Sequence, residues 1–393
     1  MMAIVDIKNS LKKNTMLIAL VVVMLFFQMV IVAADKGSLF APANVSNLIS
    51  QNAYVVVLAT GMLLCILTGG NIDLSVGSIV ALVGAIAGTL IVNMHVNIYV
   101  SILLCLICGL LIGAWQGFWI AYVRIPPFIV TLTGMLLWRG VALIVLNGLT
   151  ISPFPEKYLR YFTSFLPVSD NKTIVFAITI VIGVIMILVY IISQVMDRMK
   201  KQRKGYKTGS FAMFILKLAI TSGAVIFLFF LLAQNKGVPV VLIIITIIVL
   251  VYSFFTSNTV PGRYLYALGG NERAAKMSGV NTNQMLFFAY ANMGFLSGVA
   301  ALMCVARFNS AAPSAGTNYE LDAIASCFIG GASAYGGTGT ISGAVIGAIF
   351  MGILNNGMSI MGIDSNWQRA VKGLVLLAAV VFDVVSKNRK KSV

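Results

Sequence analysis

The chain has few charged residues for its length. Asp, Glu, Lys and Arg make up 10% of its 393 residues, whereas a soluble domain is about a quarter charged. Apolar residues (AVILMFWYC) make up 60%, and the mean hydropathy is +0.99. This composition excludes a water-soluble domain and a disordered chain. We therefore expect an integral membrane protein with little mass outside the bilayer.

Residues and motifs typical of catalytic sites are also scarce in the sequence. His95 is the only histidine, and one loop histidine with scattered acids cannot build a metal site. The dipeptide Gly-Lys does not occur, which excludes a P-loop and therefore ATP hydrolysis by that route. Neither H-E-x-x-H nor G-x-S-x-G occurs. We expect no enzyme active site, no metal site and no cofactor bound by this chain.

The five cysteines indicate packing and not redox chemistry. Cys105 and Cys108 form a C-x-x-C motif inside the apolar run 102–111, with no histidine or acid nearby. Metal ligation or disulfide exchange would need such neighbours or an exposed, polar setting. The same interpretation applies to the cysteines that lie among apolar or small residues, namely Cys65, Cys304 and Cys327.

Twelve apolar runs are long enough to cross a bilayer, which takes about 20 residues. They lie approximately at residues 16–34, 48–68, 76–92, 98–121, 127–146, 173–195, 211–233, 240–255, 285–306, 320–336, 340–356 and 368–385. The first run is longer than the core of a cleaved signal peptide, so we expect it to be retained. The tenth run opens with Glu320 and Asp322 and is rich in glycine, so a re-entrant segment is the alternative to a full span there. The predicted fold class is an all-α, polytopic membrane helix bundle of about twelve spans.

Several of these runs contain glycines spaced by four residues. The spacing occurs at 84 and 88, at 109, 113 and 117, at 294 and 298, and at 339, 343 and 347. In lipid, small residues at this spacing let helix backbones approach closely. The pattern predicts a compact bundle, and it indicates nothing about function.

Basic residues are distributed unevenly between the two sides of the predicted spans. With the N-terminus inside, 17 of the 27 Lys and Arg residues lie in inner segments, six lie in outer loops and four lie within or at the edge of spans. The positive-inside rule therefore predicts an even number of crossings with both termini in the cytoplasm. It also explains the net charge of +16 without a nucleic-acid partner.

The connection between the second and third predicted spans is polar. Residues 69–78 read Gly-Gly-Asn-Ile-Asp-Leu-Ser-Val-Gly-Ser. Asn71, Asp73 and Ser75 are helix-capping residue types, so the connection is interpreted as a capped hairpin. A second, compatible interpretation is a broken helix whose polar groups line a path for a hydroxylated solute. The candidate path residues are then Asn71, Asp73, Ser75, Thr131, Thr133 and Asn356.

The longest polar inner segment, residues 257–284, predicts a short charged helix. Asn271 is a good N-cap, Glu272 suits the positive end of a helix, and Gly279 is a natural C-terminal stop. About two turns of helix fit between the cap and the stop. The segment is either a plain loop helix or a docking helix that fits a groove on a cytoplasmic partner.

Three motifs together resemble one family. They are Gly69–Ser78, then Pro-Phe-Ile-Val-Thr-Leu at 127–132, and then Gly262-Arg263 followed by Ala274-Ala275 and Ser278-Gly279. In order and spacing they are similar to the permease subunits of ATP-binding-cassette sugar importers, in the branch that carries ribose, galactose and xylose. The resemblance implies a homodimer, an ATP-binding subunit that uses ATP and magnesium, and an extracytoplasmic sugar-binding protein. It also implies ten core spans in the arrangement of the vitamin importers.

The chain departs from this pattern by extra material at about 198–251, with a basic loop and two added spans. This lengthening resembles the xylose and multiple-sugar permeases. We expect a single permease domain, 1–393, with this insertion and a cytoplasmic coupling loop at 257–284. The resemblance implies ATPase-coupling roles for Arg263, Gly269, Gly270, Asn271, Glu272, Ala274, Ala275, Ser278 and Gly279.

The expected function is that of a permease subunit in the bacterial plasma membrane. It would move a monosaccharide, xylose or a related sugar, by alternating access, while a separate subunit hydrolyses ATP. An ion-coupled secondary sugar transporter is the first alternative, because it can also have twelve spans. A membrane-embedded enzyme acting on lipid is the second, and the shortage of catalytic residues argues against it.

Overall fold

The computed structural model describes residues 15–206 and 210–391. Its helices are α1 Thr15–Ala33, α2 Pro42–Leu67, α3 Val76–Gly88, α4 Ile98–Ala121, α5 Pro127–Leu146, α6 Glu156–Thr163, α7 Lys172–Arg203, α8 Phe211–Ala233, α9 Val240–Asn258, α10 Val260–Gly270, α11 Glu272–Met277, α12 Thr282–Phe308, α13 Tyr319–Ile329, α14 Ile341–Ile360 and α15 Ser365–Lys391. A π-helical turn, Thr89–Asn93, extends α3. Two short strands, β1 Phe165–Leu166 and β2 Val238–Pro239, pair antiparallel.

Ten helices of the described chain are long and apolar enough to cross a membrane. They are α1 to α5, α7, α8, α9, α12 and α14, with α3 counted through its π-helical turn. The all-α, polytopic membrane fold predicted from the composition is therefore confirmed. Ten of the twelve predicted spans correspond to these helices.

The other two predicted spans have a different character. The tenth is interrupted, because α13 has 11 residues and is about 16 Å long at 1.5 Å per residue. Gly331 and Gly336, which follow it, have positive φ, a conformation that ends a helix. The twelfth lies in α15, which has 27 residues but contains Lys372 and Asp383 and is less apolar than the ten spans.

Four connections between helices lie together at one end of the bundle, here called the α11 end. The Gly337 N–H, between α13 and α14, donates to the Leu67 carbonyl at the end of α2 (3.1 Å). The Tyr266 hydroxyl of α10 donates to the Gly339 carbonyl (2.9 Å). Arg124, between α4 and α5, reaches α11. These segments are the ones that the sequence predicts on a common side.

A second set of contacts defines the opposite end. The Lys36 Nζ, between α1 and α2, donates to the Met361 carbonyl at the end of α14 (2.6 Å). Ile151 and Ala311, after α5 and α12, form an isolated antiparallel bridge. The connections therefore alternate between the two ends in the order that the predicted topology requires.

The core of the bundle surrounds α2, which is almost entirely buried from Ala53 to Leu67. It packs against α9, α12, α13 and α14. The helices α4 and α12 also approach closely, since a Cβ on Gly113 would lie 2.4 Å from the Tyr290 carbonyl oxygen. A Cβ on Gly109 would likewise lie 2.6 Å from the Gly294 carbonyl oxygen. The close approach that the glycine spacing predicts is thus present between these two helices.

The helices α7 and α8 pack on each other at the periphery and leave many large apolar side chains exposed. Such surfaces suit contact with lipid. The predicted insertion, 198–251, covers the end of α7, all of α8 and part of α9. Of these, α9 also packs on α2 and α14, so it belongs structurally to the bundle.

Candidate functional site

The predicted short helix is present as α11, six residues long. Asn271 breaks the chain from α10 with an extended backbone, and its Oδ1 accepts a hydrogen bond from the Ala274 N–H (3.0 Å). At the other end the Ser278 hydroxyl donates to the Ala274 carbonyl (3.0 Å). Gly279 then adopts a φ of +85°, which favours glycine. The sequence identified both the cap and the stop correctly.

One side of α11 is fully available to another molecule. Ala275 is its buried residue, at 6% exposure, and Met277 is 90% exposed. Met277 is therefore accessible to a partner at this end of the bundle, beside the charged residues of α11. The sequence analysis did not identify Met277 as a docking residue. Its position two residues after Ala275 places it on a different side of the short helix, which was a usable signal. The exposed residues are Glu272, Arg273, Ala274, Lys276 and Met277.

Arg124 holds α11 to the bundle from the connection between α4 and α5. Its Nη1 pairs with the Glu272 Oε1 (2.6 Å), and its Nη2 donates to the Thr282 Oγ1 (3.3 Å) and to Asn283. Both members of the ion pair are more than 40% exposed, so it contributes only about 0–1 kcal/mol. The contact therefore orients α11 more than it stabilises the fold, and sequence reasoning did not find it.

The two glycines at the end of α10 occupy different surroundings. A Cβ on Gly269 would lie 1.9 Å from the Leu67 carbonyl oxygen and 2.4 Å from the Gly337 nitrogen. A Cβ on Gly270 would meet nothing within 4 Å. Backbone contact at Gly269 thus joins α10 to the end of the central helix α2. Arg263, also predicted as a coupling residue, is exposed on α10.

The polar connection before α3 forms a buried network. The Asp73 Oδ1 accepts hydrogen bonds from the Ser75 N–H (2.8 Å) and hydroxyl (2.6 Å), and Gln116 of α4 donates to that hydroxyl (2.7 Å). Burial raises the pKa of Asp73 to about 6, and the bonds from Ser75 oppose that shift. Asn71 donates to Thr68 of its own turn. Ser75, the N-cap residue of α3, makes no side-chain capping bond to that helix. The contacts tie the connection to α4 and do not decide between the two predicted interpretations.

The remaining predicted path residues have no hydrogen bond to this network among the described residues. Thr131 is buried and donates to the Pro127 carbonyl of its own helix (2.9 Å), whereas Thr133 is exposed. Asn356 lies towards the opposite end and exchanges hydrogen bonds with Asn44 (2.9 and 3.0 Å). The structure therefore does not gather the six residues around one space, and their role in a path stays a prediction.

A buried ion pair lies beside α2. Asp322 of α13 is 1% exposed, and the Lys372 Nζ of α15 lies 2.9 Å from its Oδ1. The Tyr54 hydroxyl donates to the Asp322 Oδ2 (3.0 Å). Ionisable groups at this depth are costly, so paired ones mark functional or tightly constrained sites. The sequence identified Asp322 as unusual but did not identify either partner.

The fold and these sites define a polytopic membrane permease: a helical bundle with buried polar clusters and a short charged helix presented at one end. The family described as the branched-chain amino acid transport system permease component matches residues 44–200 and 158–380. The chain belongs to this permease family.

Individual relatives extend the match along the whole chain. The xylose transport system permease protein of Escherichia coli K12 is 37% identical, over 97% of this chain and 93% of that protein. The corresponding protein of Haemophilus influenzae is 36% identical, over 97% and 98%. The ribose import permease protein of Escherichia coli K12 is 35% identical, over 96% and 95%. No solved structure matches the chain significantly.

The predicted resemblance to sugar-importer permeases is confirmed by these relatives. They are permease proteins of transport and import systems, and they do not support the ion-coupled alternative. Neither the matches nor the structure tests the coupling residues, the domain boundaries or the vitamin-importer-like arrangement, so these stay predictions.

Proposed function

We propose that the chain is the membrane-spanning permease subunit of an ATP-driven importer and moves xylose or a related monosaccharide by alternating access. The observation that carries this proposal is the similarity, over almost the full length, to permeases named for xylose transport and ribose import. The buried polar clusters and the exposed α11 are compatible with it. The membrane is the bacterial plasma membrane.

In this proposal the α11 end and both termini face the cytoplasm. The distribution of Lys and Arg supports this orientation. A separate subunit binds and hydrolyses ATP and docks on α11. A sugar-binding protein delivers the solute at the opposite end, and two copies of the permease form the complete transport unit.

The contacts of α11 suggest how movement would reach the helices. A displacement of α11 is carried by α10 to Gly269, which touches the Leu67 carbonyl at the end of α2. Arg124 carries the same displacement to the connection between α4 and α5. Because cores are close-packed, such a push moves whole helices. The central helix is then the element that changes between the two states of the permease.

Sugar uptake tests the proposal directly. The permease is produced with its ATP-binding subunit and binding protein in bacterial cells that lack their own pentose uptake, and radiolabelled D-xylose and D-ribose are supplied separately. We expect uptake of at least one of the two sugars, and loss of that uptake when the permease alone is omitted. Uptake of neither sugar by a complex that is present in the membrane would contradict the proposed substrate class.

Met277 provides a prediction for the docking role of α11. Replacing Met277 with lysine puts a charge at the centre of the proposed contact, so we expect sugar-stimulated ATPase activity and uptake to fall sharply. The permease itself should fold normally, because the side chain is 90% exposed. Uptake, ATPase activity and co-purification of the ATP-binding subunit are measured. Met277→Leu is the matched control, and equal loss in both variants would contradict a docking contact.

A further inference from the structure

A large apolar cavity lies within the membrane-spanning part of the bundle. Its volume is about 620 Å³, and α1, α2, α8, α9 and α14 surround it. We call it the α8 cavity, because it separates the peripheral helix α8 from the central helix α2. None of the path residues predicted from the sequence lines it, so the polar sites described above do not account for it.

The lining of the α8 cavity is apolar. Among the described residues that line it none is charged, and only Asn52 and Thr246 are polar. The Asn52 Nδ2 donates to the Leu48 carbonyl (2.8 Å), and the Thr246 hydroxyl donates to the Leu242 carbonyl (2.6 Å). A buried water needs about two to four polar partners, and cavities without them stay dry and bind apolar molecules. The chemistry therefore excludes a hydroxylated solute and favours a hydrocarbon.

The height of the cavity matches one leaflet of a bilayer. On α2 its lining extends from Val45 to Val56, which is about 16 Å at 1.5 Å per residue. The hydrocarbon core of a bilayer is about 30 Å thick, so one leaflet contributes about half of that. These residues lie mostly in the first half of α2, which begins at the end opposite α11. On α8 the lining lies close to the helix end at Ala233, which is at the same end of the bundle.

The wall of the cavity continues into the apolar outer surface of the bundle. Leu250 of α9 lines the cavity and is 63% exposed, and Phe227 of α8 lines it and is about half exposed. Leu25 of α1 and Ile220 of α8, on two helices that border the cavity, are exposed as well. The cavity is therefore not sealed by protein, and its wall has the same chemistry as the surface that suits lipid.

The bilayer is the nearest source of hydrocarbon for this cavity. The segments outside the described residues, 1–14, 207–209 and 392–393, adjoin helix ends at the α11 end of the bundle. The cavity lies in the other half, where the surrounding lipid is adjacent to it.

We propose that the α8 cavity binds an acyl chain of a bilayer phospholipid, from the leaflet at the end opposite α11. The headgroup stays at the bilayer surface, because no charged side chain of the described residues lines the cavity to pair with a phosphate. The acyl chain packs between α8 and α2 and supplies the dispersion contacts that an empty space would lack. The inference depends on the membrane-spanning fold and not on the transported solute.

Photochemical crosslinking from the lipid tests this site. The whole chain is reconstituted into lipid nanodiscs that contain phosphatidylethanolamine with a diazirine in one acyl chain, and the adducts formed on illumination are mapped by mass spectrometry. We expect adducts on Leu48 and Ile49 of α2, which line the cavity and are partly exposed. Because α8 is peripheral and α2 is central, a lipid that merely surrounds the bundle would label exposed side chains such as Leu25 and Ile220 and not these two.

Two double variants provide a matched comparison. Ala224→Phe with Thr246→Phe places two rings in the cavity, from α8 and α9, so we expect the adducts on α2 to be lost and those on Leu25 to remain. Gly223→Phe with Ile247→Phe changes the adjacent positions, which do not line the cavity. A Cβ at Gly223 would meet nothing within 4 Å, and Ile247 is exposed. This control should keep the adducts on α2.

Three results would overturn the lipid site. Adducts of the unaltered chain confined to exposed side chains would show that the cavity is empty, or that a second copy or another segment of the chain fills it. Wall adducts that persist in the Ala224→Phe, Thr246→Phe variant would place the lipid elsewhere. Equal loss in the control variant would show that the labelling of α2 does not depend on the cavity. The unaltered chain decides the first point, so the test does not depend on the folding of either variant.

Discussion

Replacing Gly269 with alanine is expected to abolish sugar uptake, whereas the same change at Gly270 leaves the contact between α10 and α2 unchanged and should have a smaller effect. The added Cβ at Gly269 would lie 1.9 Å from the Leu67 carbonyl oxygen, so the backbone of α10 or α2 must move. Forcing extra atoms into a packed contact costs about 1–3 kcal/mol. Here the displaced elements are also the ones that link α11 to the central helix. Gly270 is open and does not require a left-handed backbone.

The two glycine variants form a matched pair because they differ by one position in the chain. Uptake, ATPase activity and the amount of assembled complex in the membrane are measured for both. We expect the Gly269→Ala complex to lose the coupling between ATPase activity and uptake. Equal behaviour of the two variants would contradict the contact between Gly269 and Leu67 as the route of transmission.

Replacing Asp322 with alanine is expected to destabilise the permease by about 3–5 kcal/mol, because it leaves a lysine charge without its partner in a buried site. Asp322 is 1% exposed, and the Lys372 side chain is 17% exposed. The variant also removes the acceptor of the Tyr54 hydroxyl. Thermal unfolding of the purified protein in detergent measures the effect.

A double replacement provides the control for this ion pair. In Asp322→Leu with Lys372→Met both charges are removed, so much of the stability should return. Uptake should stay low in the double variant, because Tyr54 of the central helix α2 has lost the acceptor of its hydroxyl. A single Asp322→Ala variant as stable as the wild type would show that the pair does not hold α13 to α15.

Hydropathy and loop charge were sufficient to predict most of the fold. Ten spans follow from runs of apolar residues, since a helix is the structure that satisfies its own backbone in lipid. The cap at Asn271 and the stop at Gly279 are local signals, so α11 was predictable within a residue or two. The short α13 was harder to predict, because glycines that permit a break do not require one.

The functional contacts were less predictable because they join residues far apart in the sequence. Arg124 and Glu272 are 148 positions apart, and Lys372 lies 50 positions from Asp322. A single sequence carries no signal for such pairs. The difference between Gly269 and Gly270 likewise depends on what packs against each.

Reconstitution of the purified permease into liposomes tests the central claim most directly. Radiolabelled xylose or ribose uptake is measured for the permease alone under proton and sodium gradients, and then with its ATP-binding subunit, its binding protein and ATP. For a permease that depends on a separate ATP-hydrolysing subunit, we expect accumulation only in the second case, and only while ATP is hydrolysed. Accumulation by the permease alone, driven by an ion gradient, would contradict it.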